Sequence, residues 1–286
     1  MNAPGPGGGG AAVVRMLRRL AGVAASIAVS AACSIGSGPA PEATPESAPE
    51  SAPESAASGD TRWQYQLQGR VDTSVPAKTF VVDLFDTPES VVEELKARGR
   101  TVICYVNVGA SEDWRADSAA LPAEVRGTEL EDWPGEFWYD VRRTDLLAPF
   151  LASRFDLCRE KGFDGIEADN VDGWTNDSGF DLTSEDQLTY NRLVARLAHE
   201  RSLTIGLKND LDQVADLEPD FDFAVNEQCA QYDECAKLEP FVRAGKPVLH
   251  VEYGLGTSAF CAETTARGFE SIRKPRDLTV PREPCP

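Results

Sequence analysis

Histidine is almost absent from this chain: His199 and His250 are the only two in 286 residues, and neither has a cysteine at ligand spacing. A zinc centre is therefore a poor reading. No G-x-S-x-G occurs, so the serine-hydrolase turn is missing as well. Long apolar runs are also lacking. The stretch from Leu20 to Ala32 spans thirteen residues, too short for a bilayer but suited to the core of an export signal. Basic residues are outnumbered, 28 against 47, for a formal charge of −19. That balance argues against nucleic acid and anionic lipid as partners, and a polycation would be attracted. Acidity also suits any soluble exported protein, so charge alone decides little.

The first 33 residues contain no acid and three arginines, Arg15, Arg18 and Arg19. "MLRRLAGVAASIAVSAAC" from Met16 is by itself a complete export signal. Cys33 after Ala31 and Ala32 resembles a lipoprotein cleavage site, with Ser30 where a Leu is usual. The expectation is a secreted or cell-surface protein, touching a membrane only through a lipid on Cys33. The leader's "GPGGGG" has a dinucleotide-binding spelling, but no strand precedes it, so it is discounted. Residues 34–59, with three successive "PESA" tetrads and no aromatic residue, read as an extended tether that cannot bury a core.

Residues 60–286 form the folding unit. The leader and tether hold three of the basic and four of the acidic residues, leaving 25 against 43 here. With Cys33 set aside, six cysteines remain, an even number that suggests disulfides in an exported chain. Cys229 and Cys235 in "CAQYDEC" are expected to close a small loop. Cys261 and Cys285 could pin the tail, which would leave Cys104 with Cys158.

Strand-like runs fall at 79–85, 101–108, 137–141, 164–170, 204–209, 223–228, 247–253 and 269–273, with helical patterns between them. "TPESVVEELKARG" carries a Thr cap signal, a Pro at the first position and a terminal Gly. Eight alternations predict an α/β fold, a single-domain (β/α)8 TIM-like barrel, with an open doubly wound sheet as the alternative. In such a barrel, sites form at the C-terminal ends of the strands. Those ends carry Asp83, Asn107, Asp169, Lys208, Asn209, Glu227 and Glu252. Each taken singly could be a turn or capping residue.

The segments "WQYQLQG", "DLFDT", "ICYVNVGASEDWR", "KGFDGIEADNVDGW", "GLKND", "FDFAVNEQCAQYDEC" and "EYG" run in order from Trp63 to Gly254. They resemble those of the endo-α-1,4-polygalactosaminidases, glycoside hydrolase family 114. The resemblance implies a TIM-like barrel whose catalytic pair is an Asp on the fourth strand and a Glu on the sixth, here Asp169 and Glu227. No cofactor is implied, and the partner is a cationic galactosamine-containing polysaccharide, cleaved by a monomeric enzyme.

Residue chemistry points the same way, because two carboxylates alone can run glycoside hydrolysis. Lys208, one strand from Asp169, would keep that carboxylate ionised, and apolar Phe223, Ala224 and Val225 beside Glu227 would favour its protonated form. Asp83, Asp172 and Glu252 are candidate partners for amino groups, and Lys208 and Asn209 further substrate contacts. Trp114 and Trp174 are candidate stacking faces for sugar rings. The loop "DNVDGWTNDSG" lacks the residue order of a calcium EF-hand. Two rivals stay open: hydrolysis of a neutral or N-acetylated glycan, and a catalytically inactive surface glycan-binding barrel.

Overall fold

The computed structural model describes residues 63–286. The leader, the tether and Cys33 lie outside the described residues. Trp63–Gln66 is β1, Thr79–Asp83 is β2, Glu89–Ala97 is α1 and Thr101–Asn107 is β3. The chain then makes an excursion through β4 (Ala110–Glu112), β5 (Arg126–Glu129) and β6 (Glu136–Tyr139) before α2 (Thr144–Glu160). Next come β7 (Gly165–Asp169), α3 (Ser184–His199), β8 (Thr204–Lys208), α4 (Val214–Leu217) and β9 (Phe223–Glu227). Helix α5 (Glu239–Arg243), β10 (Val248–Glu252), α6 (Thr257–Ala266), β11 (Glu270–Arg273) and β12 (Glu283–Pro284) complete the chain.

One sheet runs β1-β2-β3-β7-β8-β9-β10-β11-β12, parallel throughout except for the final antiparallel pair. It curls into a (β/α)8 TIM-like barrel. The seam between β1 and β11 has no strand ladder among the described residues; the indole of Trp63 donates to the Glu270 carbonyl at 2.8 Å, and Leu67 N–H donates to the Leu278 carbonyl at 3.1 Å. The segment after β11 therefore serves as the closing staple, and the Cys261–Cys285 bridge ties its end to α6.

The period-two alternation of the strands divides the apolar residues between two cores. Trp63, Tyr65, Val81, Ile103, Val225, Leu249 and Val251 fill the barrel interior. Their neighbours Phe80, Val82, Val102, Ile166, Ala168, Leu207 and Ala224 face outward under the helices. Phe223 also points inward, where Gly206 makes room: a β-carbon there would come within 2.1 Å of the Phe223 ring.

Two expectations are corrected. The run at 137–141 does not enter the barrel; as β6 it is the centre of a separate antiparallel sheet, ordered β4-β6-β5. The barrel position it was given is filled from the other end by β1, whose "WQYQ" carries glutamines on the outward face and hides the apolar strand pattern. The two shifts cancel, so Asp169 still ends the fourth barrel strand and Glu227 the sixth. Helix α1 also starts later than its cap signal implies, with Pro88 at the N-cap and no side-chain capping bond. By contrast, Thr183 and Asp186 form a reciprocal capping box at the start of α3.

Candidate active site

At the C-terminal mouth of the barrel one ammonium gathers the carboxylates. Lys208, at the end of β8, is buried, and its Nζ lies 3.1 Å from Asp169 Oδ1, 3.2 Å from Glu167 Oε1 and 3.4 Å from Glu227 Oε2. Burial alone would lower the lysine's pKa, but the three carboxylates outweigh it and hold the group charged, well above the usual lysine range. Because Asp169 and Glu227 share one nitrogen, the two bonded oxygens are at most about 6.5 Å apart.

Three tyrosines complete the ring. Tyr105 donates to Asp169 Oδ2 at 2.7 Å, Tyr65 donates to Glu167 Oε1 at 2.7 Å, and Tyr253 donates to Glu227 Oε1. Burial, reinforced by the nearby carboxylates, holds all three phenols well above the usual tyrosine range, so each remains a donor. Backbone placement is equally constrained. Asp169 is followed by Asn170 in the left-handed region (φ 61°), and Gly109 packs so tightly there that a β-carbon would lie 1.5 Å from the Asn170 carbonyl oxygen. Asn209 Oδ1 accepts from the Glu227 N–H at 2.9 Å and so fixes the end of β9.

A pocket of about 190 Å³ opens beside Glu227, lined by Asp172, Asn209, Asp210, Asp212, Tyr232 and Glu234 among others. Asp210 is pushed up to about 8 by burial and by Asp172, although Trp174 and Asn191 donate to its oxygens at 3.3 and 3.0 Å. Asp172 is pushed up to about 7, first by desolvation and then by Asp169. The loop beyond Glu227 is closed by the Cys229–Cys235 disulfide, and Cys104–Cys158 joins β3 to α2. His250 lies within 4.8 Å of both loop sulfurs, a proximity hidden by the sequence spacing, but those sulfurs are bonded to each other.

The structure brings Asp169, Glu227, Lys208, Asn209 and Asp172 together, and Trp174 stands behind the pocket lining, joined to it by its indole bond to Asp210. Trp114, 41 % exposed, stands on the loop after β4. Asp83 is held away from solvent by Arg115, at 3.0 and 2.5 Å, and its Oδ1 also caps the N–H groups of Phe85 and Asp86. Glu252 is fully buried behind the disulfide loop, its Oε1 accepting from the N–H groups of Ala230 and Gln231 at 2.9 and 3.2 Å. Sequence reasoning passed over Glu167, Asp210 and the three tyrosines. For Glu167 the signal was present, since alternation puts it on the same face as Asp169.

Two carboxylates converging from the fourth and sixth strands of a (β/α)8 barrel are an arrangement that suits a glycoside hydrolase. The sequence model of glycoside-hydrolase family GH114 matches residues 42–285, and the chain belongs to that family, the one its motifs resemble. The crystal structure of Aspergillus fumigatus Ega3 in complex with galactosamine is similar at 37 % identity and TM-score 0.75, covering 79 % of this chain and 95 % of that one. The glycoside hydrolase domain of PelA from Pseudomonas aeruginosa shares the fold at 15 % identity and TM-score 0.60, over 78 % and 97 % of the two chains. An uncharacterized Deinococcus radiodurans protein is 28 % identical over 225 residues, 67 % of this chain and 71 % of its own length. Among the described residues, no helix is long and apolar enough to cross a membrane.

Proposed function

We propose that this chain is an exported endo-glycosidase that hydrolyses an α-1,4-linked, galactosamine-rich polysaccharide with net retention. The observation that carries this reading is the convergence of Asp169 and Glu227 on Lys208. The spacing it allows, up to about 6.5 Å, reaches only the lower edge of the range used by inverting enzymes and includes the shorter distance of retaining ones. Asp169 attacks the anomeric carbon while Glu227 gives its proton to the departing glycosidic oxygen. In the second step Glu227 takes a proton from water, which releases the sugar from Asp169 with the original configuration. Lys208 keeps a carboxylate partner in both steps, as the negative charge passes from Asp169 to Glu227.

The galactosamine bound to Ega3 supports an amino sugar as substrate. The pocket beside Glu227 supports a cationic one: Asp172, Asp210, Asp212 and Glu234 outnumber Lys237 in its lining, and a bound ammonium would draw Asp172 and Asp210, raised to about 7 and 8, into their charged forms. Three disulfides among the described residues support folding in an oxidising compartment, in line with the leader and tether. The test is to incubate the purified protein with α-1,4-galactosamine polymers of graded acetylation and size the products. Oligomers of intermediate length, formed fastest from the most deacetylated polymer, are expected. Release of monosaccharide alone, or preference for the fully acetylated polymer, would overturn the endo mode or the cationic substrate respectively.

A further inference from the structure

Beneath the proposed catalytic pair lies a carboxylate that neither substrate nor solvent can reach. Glu167 is fully buried, and its Oε2 has no hydrogen-bond partner. Its Oε1 accepts from Tyr65 at 2.7 Å and sits 3.2 Å from Lys208 Nζ, which in turn donates to the same Tyr65 hydroxyl at 3.2 Å. Lysine, tyrosine and glutamate thus close a triangle on the floor of the site. We propose that Glu167 is a positioning residue of the hydrolytic site, a floor that holds the Lys208 ammonium between Asp169 and Glu227.

A lysine has four rotatable bonds, and Asp169 and Glu227 alone would leave Lys208 free to settle on whichever is more negative at each step. A third anchor from below keeps it within reach of both. Such a buried carboxylate with an orphan oxygen is costly as an anion unless its ammonium partner stays in place. Burial pushes Glu167 up to about 7, with Lys208 opposing and Asp169 and Glu227 adding to the rise. The groups facing it are Tyr65 from β1, Asp169 on its own strand, Lys208 from β8 and Glu227 from β9. A charge on Glu167 therefore competes for Lys208 and, being negative, favours the protonated form of an acid working in the site at higher pH.

The inference rests on the proposed roles of Asp169 and Glu227, so one experiment carries Asp169→Asn beside Glu167→Gln. Steady-state rates on a deacetylated galactosamine polymer are measured from pH 4 to 9, with melting curves. For Glu167→Gln the expected result is kcat lower by about tenfold, KM within about twofold, and an alkaline limb displaced to lower pH by about one unit. An unmoved alkaline limb with undiminished kcat overturns the floor role, even if the melting temperature falls. If Asp169→Asn keeps the wild-type rate, the assignment of the pair fails instead. Should Glu167→Gln not fold, Tyr65→Phe removes the hydroxyl joining Glu167 to Lys208; the same fall in kcat at constant KM supports the role, and wild-type kcat overturns it.

Discussion

Lys208 is the residue on which the site turns, because an ammonium buried among Asp169, Glu227 and Glu167 makes their charges interdependent. Tyr105 and Tyr253 then distinguish the two upper carboxylates, one hydroxyl donating to each. Asp169→Asn and Glu227→Gln preserve shape and these donors while removing the proposed nucleophile and the proposed proton carrier. Each should fold with a near-normal melting temperature and lose about a thousandfold in kcat on a galactosamine polymer. Unchanged kcat in either would refute that residue's role. At this scale the sequence was partly legible. Asp169, Glu227 and Lys208 stood at strand ends in recognisable motifs. Asp83 and Glu252 stood at strand ends too, yet they face Arg115 and the Ala230–Gln231 backbone, contacts made across the fold that no local pattern displays.

Element geometry explains how Glu227 is aimed. The strand β9 ends at Glu227, Gln228 takes a left-handed conformation (φ 65°), and Cys229 to Cys235 closes at once into a short bridged loop. Glu252 on β10 pins the same loop from behind. Replacing both Cys229 and Cys235 by Ser should cost about 2 kcal/mol of stability, as expected for a loop this small. It should also lower kcat, since the loop sets where Glu227 and Tyr232 stand. Chemical denaturation and steady-state kinetics check this, and an unchanged kcat would show that the loop does not aim the acid. Most helices and parallel strands were readable from period and punctuation. The exceptions were β1, whose outward face carries Gln64 and Gln66 in place of apolar residues, and β6, whose apolar "FWY" serves a small sheet packed at the barrel mouth. Local pattern identifies a strand and does not say which sheet receives it.

For the molecule as a whole, acidity couples the site to stability. Asp210 at about 8, with Asp172 and Glu167 at about 7, are raised in the folded state above unfolded values near 4. Groups so shifted contribute stability that is complete below pH about 4 and is lost as pH rises through 7 to 8. A protein of net charge −19 adds self-repulsion in the same direction. Melting temperature should therefore fall between pH 5 and 9, and Asp210→Asn should flatten the upper part of that fall; a curve that rises with pH would contradict the buried-acid assignment. The barrel architecture was legible from the strand–helix alternation, seven of whose eight expected strands lie in the barrel, although the stapled seam between β1 and β11 was not, because it depends on side-chain and tail contacts far apart in sequence. Asp169 and Glu227, drawn together by Lys208, are proposed to hydrolyse an α-linked galactosamine polymer by double displacement. Proton NMR of the first-formed reducing ends tests it most directly. The α anomer is expected first, drifting to the equilibrium mixture; a β anomer appearing first would rule out double displacement.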